Sequence, residues 1–239
     1  MLYKSQILVL PSAETPPAEI LGWAVSTFGK AFAIATSFQK EGMVLIDMAA
    51  GRGLDFRVFT LETGRLPAAT LAMIGTVRER YGIPVEIVRP DEAEVATMVA
   101  RHGPDLFYAS AANRRLCCEI RKVRPLERKL RELQAWATGL RREQSAHRSA
   151  TPLIEYTGGK WKINPLAAWT AEEVERYTCR HRVPVHPLYA EGFASIGCEP
   201  CTRPILPGEE ERAGRWWWER ESHKECGIHV SAEALVRRA

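Results

Sequence analysis

The chain has 239 residues, 46% hydrophobic and 26% charged, and a formal net charge of +4 at pH 7. That length buries one sizeable core without needing a second domain, and no apolar run reaches the roughly eighteen residues of a membrane helix. The mild, scattered basicity argues against nucleic acid and favours a small anionic ligand.

The first apolar run, Ile7 to Leu10, is too short for a secretory signal, which places the chain in the cytoplasm. Thiols stay reduced there, so six cysteines read as metal-binding or catalytic rather than as a disulfide framework. Residues 12 to 19 are a linker or helix start, and an amphipathic segment runs from Ile20 to Phe28. The apolar run Ala31 to Phe38 leads through the loop Gln39-Lys40-Glu41-Gly42 into a buried helix, Met43 to Ala50.

The unit then repeats. Phe56 to Leu61 is strand-like, Glu62 to Arg65 a loop, and Leu66 to Tyr81 a helix with Leu71, Ile74, Val77 and Tyr81 on one face. Pro84 to Val88 is a third strand, and Asp91 to His102 a helix in which Asp91 and Glu94 form a capping box. Strands alternating with helices imply a parallel sheet with right-handed crossovers.

A long basic helical stretch, Asn113 to Leu133, contains Pro125 and breaks just after Lys122. Ala135 to Thr138 is a short strand, Ile154 to Ile163 a hairpin around Gly158-Gly159, and Thr170-Ala-Glu-Glu173 a capping box opening a helix to about Arg182. The stretch His186 to Trp218 lacks periodicity and is too long for an idle loop. A bound cofactor accounts for its order.

In an open α/β sheet ligands bind beyond the carboxyl ends of the strands, where strand order reverses. Three polar loops follow strands: Ser37 to Gly42, Glu62 to Arg65 and Gly139 to Arg148. They bring small residues near helix N-termini, which suit phosphate oxygens, and the cations Lys40, Arg65, Arg141, Arg142 and Arg148. The alternative is a set of solvated loop charges.

Among the cysteines, Cys198-x-x-Cys201 between Gly197 and Pro200 is a ligand hairpin for zinc or iron-sulfur. In the tandem pair Cys117-Cys118, neighbouring helical side chains diverge by about 100°. A cluster with several irons accommodates divergent thiolates more readily than one zinc ion, so a 4Fe-4S site ranks above zinc, and a structural role for the four below both. Cys226, between Lys224 and His229, has nearby cations that favour its thiolate and reads as a nucleophile, against an incidental exposed thiol. Cys179, on a helix with Val174 and Tyr177, reads as buried filler. Arg212 and Arg215 precede Trp216, Trp217 and Trp218, a group that serves either nucleic-acid stacking or a small-anion clamp.

The chain resembles the assimilatory adenosine 5'-phosphosulfate reductases, relatives of the 3'-phosphoadenosine 5'-phosphosulfate reductases, over roughly Ile20 to His229. The resemblance is carried by Thr36-Ser37-Phe38-Gln39, Thr63-Gly64-Arg65, Cys117-Cys118-Glu-Ile-Arg121-Lys122, Gly139-Leu140-Arg141-Arg142, Asn164-Pro165-Leu166 and His186-Pro187-Leu188-Tyr189. It continues through Ser195 to Arg203, Glu211 to Glu219 and Lys224-Glu-Cys-Gly-Ile-His229.

What the resemblance implies is an α/β fold over residues 1–218, a Rossmann-like parallel sheet with flanking helices of the adenine nucleotide alpha hydrolase type. A flexible tail over 219–239 then carries the catalytic cysteine. It implies a 4Fe-4S cluster on Cys117, Cys118, Cys198 and Cys201, catalysis by Cys226 with His229, and substrate binding by Ser37, Phe38, Gln39, Thr63, Gly64, Arg65, Lys122, Arg141, Arg142, Arg212 and Arg215. The cysteines point to the unphosphorylated nucleotide, reduced thioredoxin or a similar thiol is the implied partner, and a homo-oligomer is admitted. Two departures stand out. Ser37-Phe-Gln-Lys-Glu-Gly42 replaces the pyrophosphate loop Ser-Gly-Gly-x-Asp-Ser of related ATP pyrophosphatases, which argues against ATP cleavage and so against sulfur transfer to RNA. Glu62 replaces the family's usual Asp. The rivals are a 3'-phosphorylated or dual substrate, and a metal-stabilised nucleic-acid-binding protein.

Overall fold

The computed structural model describes residues 9–219. Its centre is a six-stranded sheet in the order β3-β2-β1-β4-β6-β5. The strands are β1 (Phe32–Ala35), β2 (Arg57–Leu61), β3 (Val85–Val88), β4 (Ala135–Ala137), β5 (Ile154–Thr157) and β6 (Lys160–Ile163). Every neighbouring pair is parallel except the β5–β6 hairpin. The chain builds outward from β1 through β2 to β3 and then returns to place β4 on the other side of β1, so strand order reverses between β1 and β4.

Alternation along the central strands assigns the two faces. Phe32, Ile34, Val58, Ala135 and Ala137 point into the main core, whereas Ala33, Phe59 and Trp136 point the other way. The first face is covered by α1 (Pro17–Phe28), α2 (Lys40–Gly51), α3 (Ala68–Tyr81) and α7 (Ala171–His181). On the second lies α6 (Arg124–Leu130), with Leu126 against Phe59 and Trp136. Burial on both sides explains why β1 and β4 read as unbroken apolar runs.

Several local expectations shift. In α3 the buried residues are Thr70, Met73 and Val77, with Ile74 and Tyr81 half-buried against the same core, so of the expected inward face only Leu71, 39% exposed, turns outward. The helix α4 (Glu92–His102) is capped by Asp91, whose carboxylate accepts from Ala93 and Glu94 N–H. The Glu94 side chain does not reciprocate, and pairs with Arg124 at 3.0 Å. At α7 the capping box is complete in both directions, Thr170 with Glu173.

The basic helical stretch divides into α5 (Ala111–Cys118), a π-helical turn over Glu119–Val123, and α6. Pro125 stands in the first turn of α6, where its missing N–H costs little. The wider π turn replaces the expected break after Lys122. Cys179 is exposed, with Sγ 3.6 Å from Glu175, because α7 turns that position outward; it is not core filler.

Candidate active site

A cavity of about 170 Å³ opens at the carboxyl ends of the strands, at the reversal between β1 and β4. Ala35 and Leu61 end β1 and β2 at its floor, Thr138 follows β4 there, and all three loops expected at this edge contribute to its wall. Of the expected binding residues, Ser37, Gln39, Thr63, Lys122, Arg212 and Arg215 line it.

Gln39 organises two sides of this wall. Its amide nitrogen donates to Ser37 Oγ at 2.9 Å, and its carbonyl oxygen accepts from Ile196 N–H at 2.8 Å. The β1 loop thereby grips the segment leading to Cys198. Arg215 is 6% exposed, and its Nε has no hydrogen-bond partner among the described residues. A buried, unsatisfied guanidinium N–H at a cavity wall is a donor prepared for an anion.

The remaining expected binding residues lie elsewhere. Phe38, with φ at +59°, turns its ring into the main core. Arg142 is exposed and donates to the Thr151 carbonyl at 2.9 Å. Arg141 is buried against carboxylates, with Nε 2.9 Å from Glu41, Nη1 3.1 Å from Glu143 and Nη2 3.5 Å from Glu211. Gly64 is an exposed turn residue at φ +70°, and Glu62 Oε1 accepts its N–H at 2.6 Å. The extra methylene of Glu62 is taken up within that turn. Arg65 donates to the Pro104 carbonyl and faces the second cavity.

Sequence reasoning missed Glu41 and Glu211, which line the main cavity near its cations. Burial pushes the Glu211 carboxyl above its usual range, with Glu41 adding to the effect. The only local signal was that each acid stands beside a residue already singled out.

The second, smaller cavity is lined by Cys117, Cys118, Cys198 and Cys201, together with Arg65, Arg114, Arg121 and Lys122. All four thiols are buried and free. Burial raises the Cys117 thiol, opposed by the nearby Arg121 charge, and pushes Cys201 up to about 12, with Cys198 adding to the effect. Thr63 Oγ1 lies 3.3 Å from Cys198 Sγ, and Arg121 donates to the Thr63 carbonyl at 2.7 Å. Among the described residues no three of His, Cys, Asp or Glu close around a single metal ion.

Lys122 and Trp216 line both cavities and form the wall between them. Trp216 is 1% exposed, has φ at +45°, and lies with its ring centroid 4.6 Å from the guanidinium carbons of both Arg114 and Arg215. That burial removes it from base stacking. Cys226 and His229 lie outside the described residues. No helix among the described residues is long and apolar enough to cross a membrane.

Comparison with known proteins agrees with this architecture. Residues 31–204 match the phosphoadenosine phosphosulfate reductase domain. An adenosine 5'-phosphosulfate reductase of Burkholderia cepacia is 49% identical over 199 residues, 82% of this chain and 80% of its own. One from Allochromatium vinosum is 45% identical over 222 residues, 92% of this chain and 86% of its own. Among solved structures, the phosphoadenylyl-sulfate reductase of Candida auris in a phosphate complex superposes with a TM-score of 0.68 at 29% identity, covering 80% of this chain and 91% of that one. Yeast FAD synthetase, at 14% identity and a TM-score of 0.54, shares the fold alone.

Proposed function

The chain belongs to the phosphoadenosine phosphosulfate reductase domain family, and we propose on that footing that it reduces adenosine 5'-phosphosulfate to sulfite and AMP in sulfate assimilation. The observation that carries the reading is the shared wall: Lys122 belongs both to the anion-prepared cavity and to the four-cysteine cavity. The names of the close relatives favour the unphosphorylated nucleotide. The 3'-phosphorylated or dual substrate is the second reading, and competition kinetics with both nucleotides separates them.

Four buried cysteines with four cationic side chains around them fit an iron-sulfur cluster in their chemistry. Bringing four thiolates into a buried space is costly unless positive centres share their charge, and soft thiolates are the donors iron-sulfur clusters take. Cys117, Cys118, Cys198 and Cys201 would hold a 4Fe-4S cluster, with Arg65, Arg121 and Lys122 offsetting its net charge. When bound, such a cluster supplies a fixed electrostatic centre beside the substrate.

The chain's own residues then do the following. Lys122, Arg212 and Arg215 bind and orient the phosphate and sulfonate oxygens, where negative charge shifts as the bond breaks. The Cys226 thiolate attacks the substrate sulfur, forming an S–S bond; the S–O bond breaks and AMP departs with its electron pair. His229 acts beside it. A thiolate of reduced thioredoxin or a similar donor then attacks the Cys226 sulfur, a mixed disulfide forms, and sulfite leaves. A second donor thiol releases Cys226, so both electrons come from the donor dithiol. This chemistry belongs in the cytoplasm, where reduced thiols are supplied.

The test is intact mass of anaerobically prepared protein exposed to adenosine 5'-phosphosulfate without added thiol. A sulfo-group gain with matching AMP release, lost in Cys226→Ser, is the expected result. No gain from protein containing its full iron and sulfide overturns the reading.

A further inference from the structure

The most enclosed ion pair among the described residues joins one of the cations lining the cysteine cavity to a residue given no role above. Arg114 Nε and Nη2 donate to Glu219 Oε1 and Oε2 at 2.8 and 2.9 Å, with the two side chains 2% and 4% exposed. Arg114 lies on α5 three residues before Cys117, and therefore on the neighbouring part of the same helix surface. Glu219 is the last described residue, and Cys226 stands seven positions beyond it.

The residues between are tied as tightly. Trp216 N–H donates to the Cys201 carbonyl at 3.2 Å, and Glu219 N–H closes a turn onto the Trp216 carbonyl at 2.9 Å. Trp216 holds a positive φ that non-glycine residues rarely adopt, which persists only where surroundings impose it. Those surroundings are Arg114 and Arg215, both 4.6 Å from its ring. A buried bidentate pair is an expensive way to gain stability, since apolar residues of the same volume serve as well, but it fixes geometry closely.

We propose that the Arg114–Glu219 pair is a positioning device: it fixes Glu219, seven residues before Cys226 in the sequence, against the helix that bears Cys117 and Cys118. The proposal rests on the reading of Cys226 as the nucleophile. Seven residues reach at most about 25 Å, so the position of their origin decides how often the thiol meets the substrate sulfur. Arg114 and Glu219 are positioning residues, since they act through the segment.

The test uses anaerobic, cluster-loaded protein and the variants Glu219→Gln and Arg114→Lys. Three quantities are measured: AMP affinity, thermal midpoint, and the single-turnover rate of S-sulfo-Cys226 formation. The expected result is AMP affinity within about threefold of wild type with an adduct rate lowered on the order of 30- to 100-fold, the scale of a small misplacement of a reacting group. An adduct rate within about threefold of wild type in both variants overturns the proposal. So does a fall that AMP affinity and thermal midpoint match, or failure of both variants to fold, since each makes the pair merely structural. Wild-type protein that forms no adduct defeats the reading of Cys226 itself, whereas wild-type adduct with unaffected variants defeats this inference alone.

Discussion

Arg141 Nε lies 2.9 Å from Glu41 Oε1, in a contact where the arginine side chain is 3% exposed and the acid 10%. The pair joins the first turn of α2 to the loop after β4, beneath the main cavity. With Glu143 and Glu211 also on its guanidinium, Arg141 has its donors on carboxylates. Replacing it by Met strands Glu41 without its main partner and should cost about 3 kcal/mol in chemical denaturation, the usual penalty for opening a buried pair. The same change at exposed Arg142 should stay within about 0.5 kcal/mol.

Gly139 is where that loop meets α2. A Cβ there would stand 2.6 Å from Glu41 Cβ and 3.1 Å from Gly42 N, against atoms that cannot swing aside. Gly139→Ala should therefore destabilise by about 1–3 kcal/mol, as overpacking does, and lower nucleotide affinity. Gly75, inside α3, has only Glu79 Oε1 near, at 4.0 Å. Gly75→Ala should stabilise by about 0.5–1 kcal/mol through helix propensity. Thermal melts of the two variants check both signs.

His186 supplies a pH dependence. Leu188 N–H donates to its Nδ1 at 3.3 Å, so neutral His186 carries its proton on Nε2 and donates to Thr70 Oγ1 at 2.9 Å. Burial holds its pKa below the ordinary histidine value. The unfolded chain therefore takes up the proton first as pH falls. The contribution is fully present above the ordinary pKa of about 6.5 and is lost progressively as pH falls from there through the depressed folded value. His186→Asn should flatten the stability profile in that window, measured by denaturation between about pH 8 and 5.

If the four buried cysteines hold a cluster, Cys201→Ser should sharply lower iron and acid-labile sulfide and remove the visible absorption of the anaerobic protein. Cys179→Ser, on the exposed side of α7, should change neither. Metal and sulfide analysis of the pair decides it.

The sheet was legible because parallel strands buried on both faces must be apolar and short, and because loops ending such strands mark the binding edge. The complete cap at Thr170 was legible for the same reason, as a purely local pattern. What escaped depends on partners distant in sequence. Arg141 looked like a ligand for anions because nothing nearby shows that Glu41, 100 residues earlier, and Glu211, 70 later, take up its donors. Phe38 looked like part of a binding loop until its positive φ turned the ring inward. On α7 five residues, a phase difference of about 140°, separate Val174, buried at 2%, from the exposed Cys179, and periodicity in so short a helix does not fix that phase.

The π turn at Glu119–Val123 makes this stretch sensitive to chain length in a way the loops are not. It holds one residue more than an α-helical path between the same ends needs. Deleting one residue there lets the path close as ordinary α-helix with both ends in place, whereas deleting a second leaves it one short, and each residue of helix carries a rotation of about 100°. With α6 held by Leu126 against the sheet, the rotation would fall on α5, swinging Cys117 and Cys118 away from the hairpin of Cys198 and Cys201. A one-residue deletion at the Gly158-Gly159 turn alters only the loop of an edge hairpin. The frame of the cysteine pair is thus written in the count of residues between Cys118 and Arg124.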